Sequence, residues 1–95
     1  NRDLVSMTEV THKQWKKKIY VEKDGLKARL KYKLRKNQIF EILKTEVPEQ
    51  WRGQGIGKKL TEAAIEYAKT FNYMVKPKCS FAKFLLEKLK PDNVK

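Results

Sequence analysis

The stretch IFEILKTEVPEQWRGQGIGKKLTEAAIEYAK, residues 39–69, decides the fold of this 95-residue chain. It opens as a β-strand from Ile39 to Val47. Its apolar residues Ile39, Phe40, Ile42 and Leu43 fall on both faces, the pattern of a central strand covered on both sides. Pro48 has no N–H to give a ladder, so pairing stops about there. A helix follows, because Ile56, Leu60, Ala63, Ala64, Tyr67, Ala68 and Phe71 recur at helical spacing on one face. Lys58 with Glu62, and Glu66 with Lys69, support its wet side, and Asn72 is a stop signal.

Between strand and helix stands Arg52-Gly53-Gln54-Gly55-Ile56-Gly57. Glycine lets the backbone approach an anion closely, and the free N–H groups and dipole of a helix start favour phosphate. The loop is not a Walker A sequence, which needs GxxxxGK and then Ser or Thr, and its every-second-residue glycines do not fit the dinucleotide GxGxxG. It reads Arg-x-x-Gly-x-Gly. With Val47 and Pro48 before it and Lys58, Lys59 and Leu60 after it, the segment resembles the acyl-CoA signature of GCN5-related N-acetyltransferases.

That resemblance implies acetyl-CoA as cofactor. Thr45, Glu46 and Val47 would line its pantetheine arm, and Arg52, Gln54, Gly55 and Gly57 would cradle the diphosphate by mostly main-chain contacts. Gly53, Ile56 and Lys58 complete the implied cofactor-binding set. A second segment, Pro77-Lys78-Cys79-Ser80-Phe81, resembles a small stand-alone subfamily with proline, cysteine and an aromatic at this place. The two resemblances span about residues 19–90. The chain departs from the pattern in carrying Lys44 where that subfamily commonly has histidine. It also has Phe81 and Phe84 where full-size relatives tend to place a general-acid tyrosine.

Two residues are candidates for the chemistry. Cys79 stands at the start of a last helix, among Lys76, Lys78 and Lys83, and both helix dipole and cations favour the nucleophilic thiolate. It could take up the acetyl group and pass it on. The plainer reading is a small buried hydrophobe. If the amine instead attacks directly, a base must hold its proton. Glu46 and Glu49 are the nearest carboxylates by sequence, and Glu46 is the better candidate because it lies near the strand end where the thioester arm should pass, although its place also suits a solvent-facing residue.

The rest of the chain supplies an α+β setting, an α/β sandwich with three antiparallel strands, a parallel fourth and two helices. Residues 1–14 read as a flexible lead-in with His12 a solvated linker histidine, and residues 15–95 as one minimal domain. A strand from Trp15 to Glu22, with Trp15, Ile19 and Val21 on one side, turns at Lys23-Asp24-Gly25. It leads into the alternating strand Leu26, Ala28, Leu30, Tyr32, Leu34, whose wet face is wholly cationic. Lys36-Asn37-Gln38 makes the next turn. Beyond the glycine loop, a strand at Tyr73–Lys76 would lie parallel to the third, as a crossover of this length allows. Ser80 then caps a helix whose stripe is Phe81, Phe84, Leu85 and Leu89.

Composition narrows the alternatives. One cysteine and one histidine exclude an intramolecular disulfide and a zinc site, and a reducing, cytoplasmic compartment is the default. No apolar run reaches the length of a membrane span or signal-peptide core. Net charge is +12, and residues 13–36 hold 11 of the 23 basic residues against two acidic ones. This basic hairpin lies outside the glycine loop, so CoA does not account for it. It suits either an acidic partner such as nucleic acid or, more plainly, a soluble and blunted sheet edge. The expected function is transfer of an acetyl group to a primary amine of unspecified identity by a monomer. The alternatives are a CoA-binding module without turnover and a nucleic-acid-binding domain.

Overall fold

The computed structural model describes residues 9–94. It contains β1 (Thr11–Lys13), β2 (Lys18–Lys23), β3 (Leu26–Arg35), β4 (Ile39–Glu46), α1 (Ile56–Thr70), β5 (Met74–Pro77) and α2 (Ser80–Leu89). The five strands form one sheet in sequence order, antiparallel from β1 to β4 and parallel between β4 and β5. The hairpin from β2 to β3 closes on Asp24 and Gly25, both at positive φ, as a two-residue turn requires. Asn72, at φ 61°, reverses the chain after α1.

Alternation along β2 and β3 buries Ile19, Val21, Ala28, Leu30 and Tyr32 on one face of the sheet. Both helices pack there. Gly57 of α1 lies against Phe81 and Leu85 of α2, and Asn93, just past α2, donates from Nδ2 to the Ile65 carbonyl. One hydrophobic core results. The opposite face carries no helix among the described residues.

This one-sided arrangement corrects the expectation that β4 is covered on both faces. On the open side Glu41 is shielded by Arg35, whose Nε donates to Oε1 at 2.6 Å. That guanidinium holds the Glu41 carboxyl below the usual carboxylate range against the opposing effect of burial. Within α1, Ile65 and Thr61 are buried, while Phe71, the residue that ends the helix, is exposed and rests against Tyr67.

The N-terminal reading also changes. Of the expected lead-in, residues 1–8 lie outside the described residues, but Thr11–Lys13 form a strand paired with β2. Trp15 sits in a single 3-10 turn (Gln14–Lys16) rather than a strand, and is 75% exposed. Lys17, at φ 53°, ends that turn, and its carbonyl accepts from the Tyr32 N–H at 3.0 Å. His12 is no linker residue: its Nε2 is hydrogen-bonded to the Tyr32 hydroxyl, and its ring meets that of Tyr67 edge-on at 4.5 Å.

Burial, and then the charge of Lys17, push the His12 pKa below its ordinary 6.5. Burial, followed by Tyr67, pushes Tyr32 up to about 12. Because folding lowers the histidine pKa, the unfolded chain takes the proton first. The contribution of His12 is therefore fully present above 6.5 and is lost as pH falls through the lower folded value. Urea unfolding at pH 7.5 and 5.5 should show stability falling across this window, and His12→Phe should flatten the fall.

Candidate active site

β4 pairs with β5 only as far as Ile42 opposite Pro77, and the Lys78 N–H closes the junction on the Ile42 carbonyl at 2.8 Å. Beyond this point the strands part, and β4 runs on from Leu43 to Glu46. Leu43 is an extra residue in the β3–β4 ladder, since Lys31 faces Lys44 while Tyr32 faces Ile42. Such a bulge bends the strand locally.

The parting leaves a cleft of about 890 Å³. One wall is the end of β4, with Thr45, Glu46, Val47 and Pro48, and the opposite wall is Phe81, Phe84 and Leu85 of α2. Arg52, Gly53, Gly55, Ile56, Gly57 and Lys58 form the floor, and Lys27 and Arg29 reach in from β3. Trp51 is buried beneath the loop.

The floor is built to receive an anion. Gly55, the N-cap of α1, lies at φ 84° with no side chain to cap the helix, and the bond from the Lys59 N–H to the Gly55 carbonyl is the first i to i−4 closure. The amides of Ile56, Gly57 and Lys58 therefore have no acceptor in the helical ladder. Arg52 folds over the loop, its Nε donating to the Val47 carbonyl at 3.4 Å. A Cβ on Gly57 would come within 2.9 Å of the Phe81 ring, so a larger residue here would push that ring aside. On the β4 wall, Thr45 Oγ1 is buried without a hydrogen-bond partner. The uncapped amides of the helix start, beside the free end of β4, fit an anionic ligand that also carries amide groups.

Among the residues singled out from sequence, Thr45, Glu46, Val47, Arg52, Gly53, Gly55, Ile56, Gly57 and Lys58 all line the cleft. Gln54 does not; its side-chain amide donates to the Gln50 carbonyl at 3.1 Å. Cys79 does not line it either. It, rather than Ser80, is the N-cap of α2, its sulfur accepting from the Ala82 N–H at 3.4 Å, and it is half-buried against the core. Lys27, Arg29 and Trp51 were not anticipated as site residues. The register of β3 against the end of β4, Arg29 opposite Glu46, is the signal that places the first two.

Glu46 is held between cations: Arg29 Nε donates to Oε1 at 2.8 Å and Lys44 Nζ lies 3.2 Å from Oε2. Arg29, and then Lys44, hold its carboxyl below the usual range. A carboxylate so stabilised is a poor acceptor for an ammonium proton. No cluster among the described residues could hold a metal ion, and no helix there is long and apolar enough to cross a membrane.

The split sheet and its anion-ready cleft define a mixed α+β domain whose binding site lies where a central strand outruns its parallel neighbour. The profile of the GCN5-related N-acetyltransferases matches residues 17–92. The solution structure of a GCN5-like protein from Staphylococcus aureus superposes with a TM-score of 0.74 at 34% identity, covering 90% of this chain and 85% of that one. No curated protein matches the sequence significantly. The chain belongs to the GCN5-related N-acetyltransferase family and is an acetyltransferase of that fold.

Proposed function

We propose that the chain binds acetyl-CoA in this cleft and transfers the acetyl group to a primary amine. The observation that carries the reading is that the unpaired end of β4 and the uncapped start of α1 border one cleft. The amides of Ile56, Gly57 and Lys58 would hold the diphosphate, with Arg52 and Lys58 adding charge. The free edge of β4 would bond the amide groups of the pantetheine arm, as an added strand does. Phe81 and Phe84, 39% and 51% exposed, would be covered by that arm and keep water from the thioester. When bound, the cofactor supplies an acetyl group activated as a thioester.

Two routes lead to the amide. Direct attack by the amine is the better supported, because the Cys79 sulfur already caps α2 and stands outside the cleft lining. The neutral amine forms the amide bond as the thioester C–S bond breaks, and CoA leaves as the thiol with the proton the amine gives up. Glu46 then serves to hold Arg29 at the mouth rather than to take the proton. The route through an acetylated Cys79 draws on its place immediately beyond the β4–β5 junction. Intact-mass measurement after incubation with acetyl-CoA decides between them. Direct attack predicts no acetyl adduct on the protein, and turnover retained within about threefold in Cys79→Ser. An adduct that vanishes in Cys79→Ala, together with loss of turnover by about a hundredfold or more, would establish the cysteine route instead.

A further inference from the structure

The open face of the sheet bears an arrangement that folding alone does not favour. Lys13 faces Lys18, Lys18 faces Lys31, and Lys31 faces Lys44. Four lysines thus form one row across β1 to β4, with no acidic residue in it. At the usual strand spacing the row spans about 14 Å. Like charges directly opposite one another on a sheet are destabilising. Lys18 registers the crowding: desolvation, followed by Lys27, Arg29, Lys16 and Lys31, pushes its ammonium below the ordinary lysine value. Among the described residues, Glu46 is the carboxylate paired with the row, through Lys44.

The row is continuous with the cleft. It ends at Lys44, whose partner Glu46 lines the cleft, and Lys27 and Arg29 belong both to the open face and to the cleft mouth. At its outer end, the turn between Lys13 and Lys18 carries the exposed Trp15, an aromatic anchor of the kind that dominates peptide interfaces.

We propose that this face is the docking surface for the acceptor, and that the acceptor is an acidic polypeptide segment presenting a lysine or N-terminal amine to the cleft. The inference rests on the acetyl-transfer reading above for the fate of the amine, and on the lysine row for recognition. A polyamine is repelled by the same cations. Nucleic acid fits less well, because the exocyclic amines of bases are conjugated and weakly nucleophilic. The Tyr20 ring on this face is also covered by Lys27 at 4.3 Å and Lys13 at 5.4 Å, so among the described aromatics here Trp15 alone is left to stack a base, where single-strand binders use a series of aromatics.

Anisotropy with a labelled Asp/Glu-rich peptide holding one lysine tests the surface without requiring turnover. The peptide should bind at low salt and weaken by about tenfold or more at high salt. Lys31→Glu places a carboxylate between Lys18 and Lys44, outside the cleft. It should weaken peptide binding by about tenfold and raise Tm by about 4 °C, with acetyl-CoA affinity by calorimetry unchanged. Lys31→Gln should show the same losses to a smaller degree. With turnover, the acidic-flanked lysine should exceed a lysine-flanked one in kcat/KM by about tenfold. The proposal is overturned if the peptide does not bind, if Lys31→Glu binds it as well as the natural protein, or if RNA or anionic vesicles of matched charge displace it at lower concentration. Failure of acetyl-CoA to bind would instead remove the cleft reading, and the anisotropy result would stand apart from it.

Discussion

Replacing Gly55 by valine should lower the affinity for acetyl-CoA by about a hundredfold or more, while costing the fold only about 1–3 kcal/mol. Gly55 lies at φ 84° and ψ 10°, a left-handed conformation that a β-branched residue adopts only under strain. The loop can hold its shape and carry that strain, or relax and turn the amides of Ile56 and Gly57 away from the cleft. Each charge-assisted bond from such an amide is worth about 1.5–3 kcal/mol, so loss of two exceeds the ~2.8 kcal/mol of a hundredfold change.

A matched variant separates strain from site. Asn37, at φ 64° in the turn between β3 and β4, lies at the other end of β4 from the cleft. Asn37→Val should cost comparable stability and leave the affinity unchanged. Calorimetry with acetyl-CoA and a thermal scan on both variants make the comparison. Normal binding by Gly55→Val would mean that the amides of the loop do not hold the cofactor.

What the chain discloses in advance follows from which forces are local. The alternation of Leu26 to Leu34 and the Asp24-Gly25 turn depend on neighbours within a few residues, and they emerge as read, whereas the stripe of α1 keeps Ile56, Leu60, Ala64 and Ala68 but gains Thr61 and Ile65 and loses Phe71. The glycine loop lies at the helix start and lines the cleft for the same reason. His12 failed as a linker residue because its partners Tyr32 and Tyr67 are far along the chain, and nothing near His12 announces them. The apolar residues on both faces of β4 suggested two covering layers. Instead one face is shielded by Arg35 and neighbouring side-chain stems, which a hydropathy pattern does not distinguish from a helix. Cys79 stands at a helix start, as its neighbours in sequence predict, but that its sulfur turns back onto the Ala82 amide is set by a side-chain conformation no local pattern encodes. The lysine row needed strand register. In sequence Lys13, Lys18, Lys31 and Lys44 are scattered, and only the pairing of four strands brings them into line.

The largest effect on the fold should come from Phe40→Ala, a loss of about 3–5 kcal/mol seen as a fall in Tm of about 15 °C or more. Phe40 is 0% exposed. Its ring stacks on Tyr32 with centroids 4.1 Å apart and meets Tyr67 of α1 at 5.9 Å. Its backbone is fixed on both sides, opposite Leu34 on β3 and Val75 on β5, so the walls of the space left behind cannot close over it. Removing the ring also strips the packing from Tyr32, whose hydroxyl anchors His12 and with it β1. For a domain of this size, with total stability of about 5–15 kcal/mol, the variant should stand near the edge of unfolding at 37 °C. Phe40→Leu keeps most of the volume and should recover more than half of the loss. If Phe40→Ala melts within about 5 °C of the natural protein, the Tyr32–Phe40–Tyr67 stack is not the keystone of this core. The joint between β4 and α1 that positions the cleft must then be held chiefly by Leu60, Ala64 and Val75 instead.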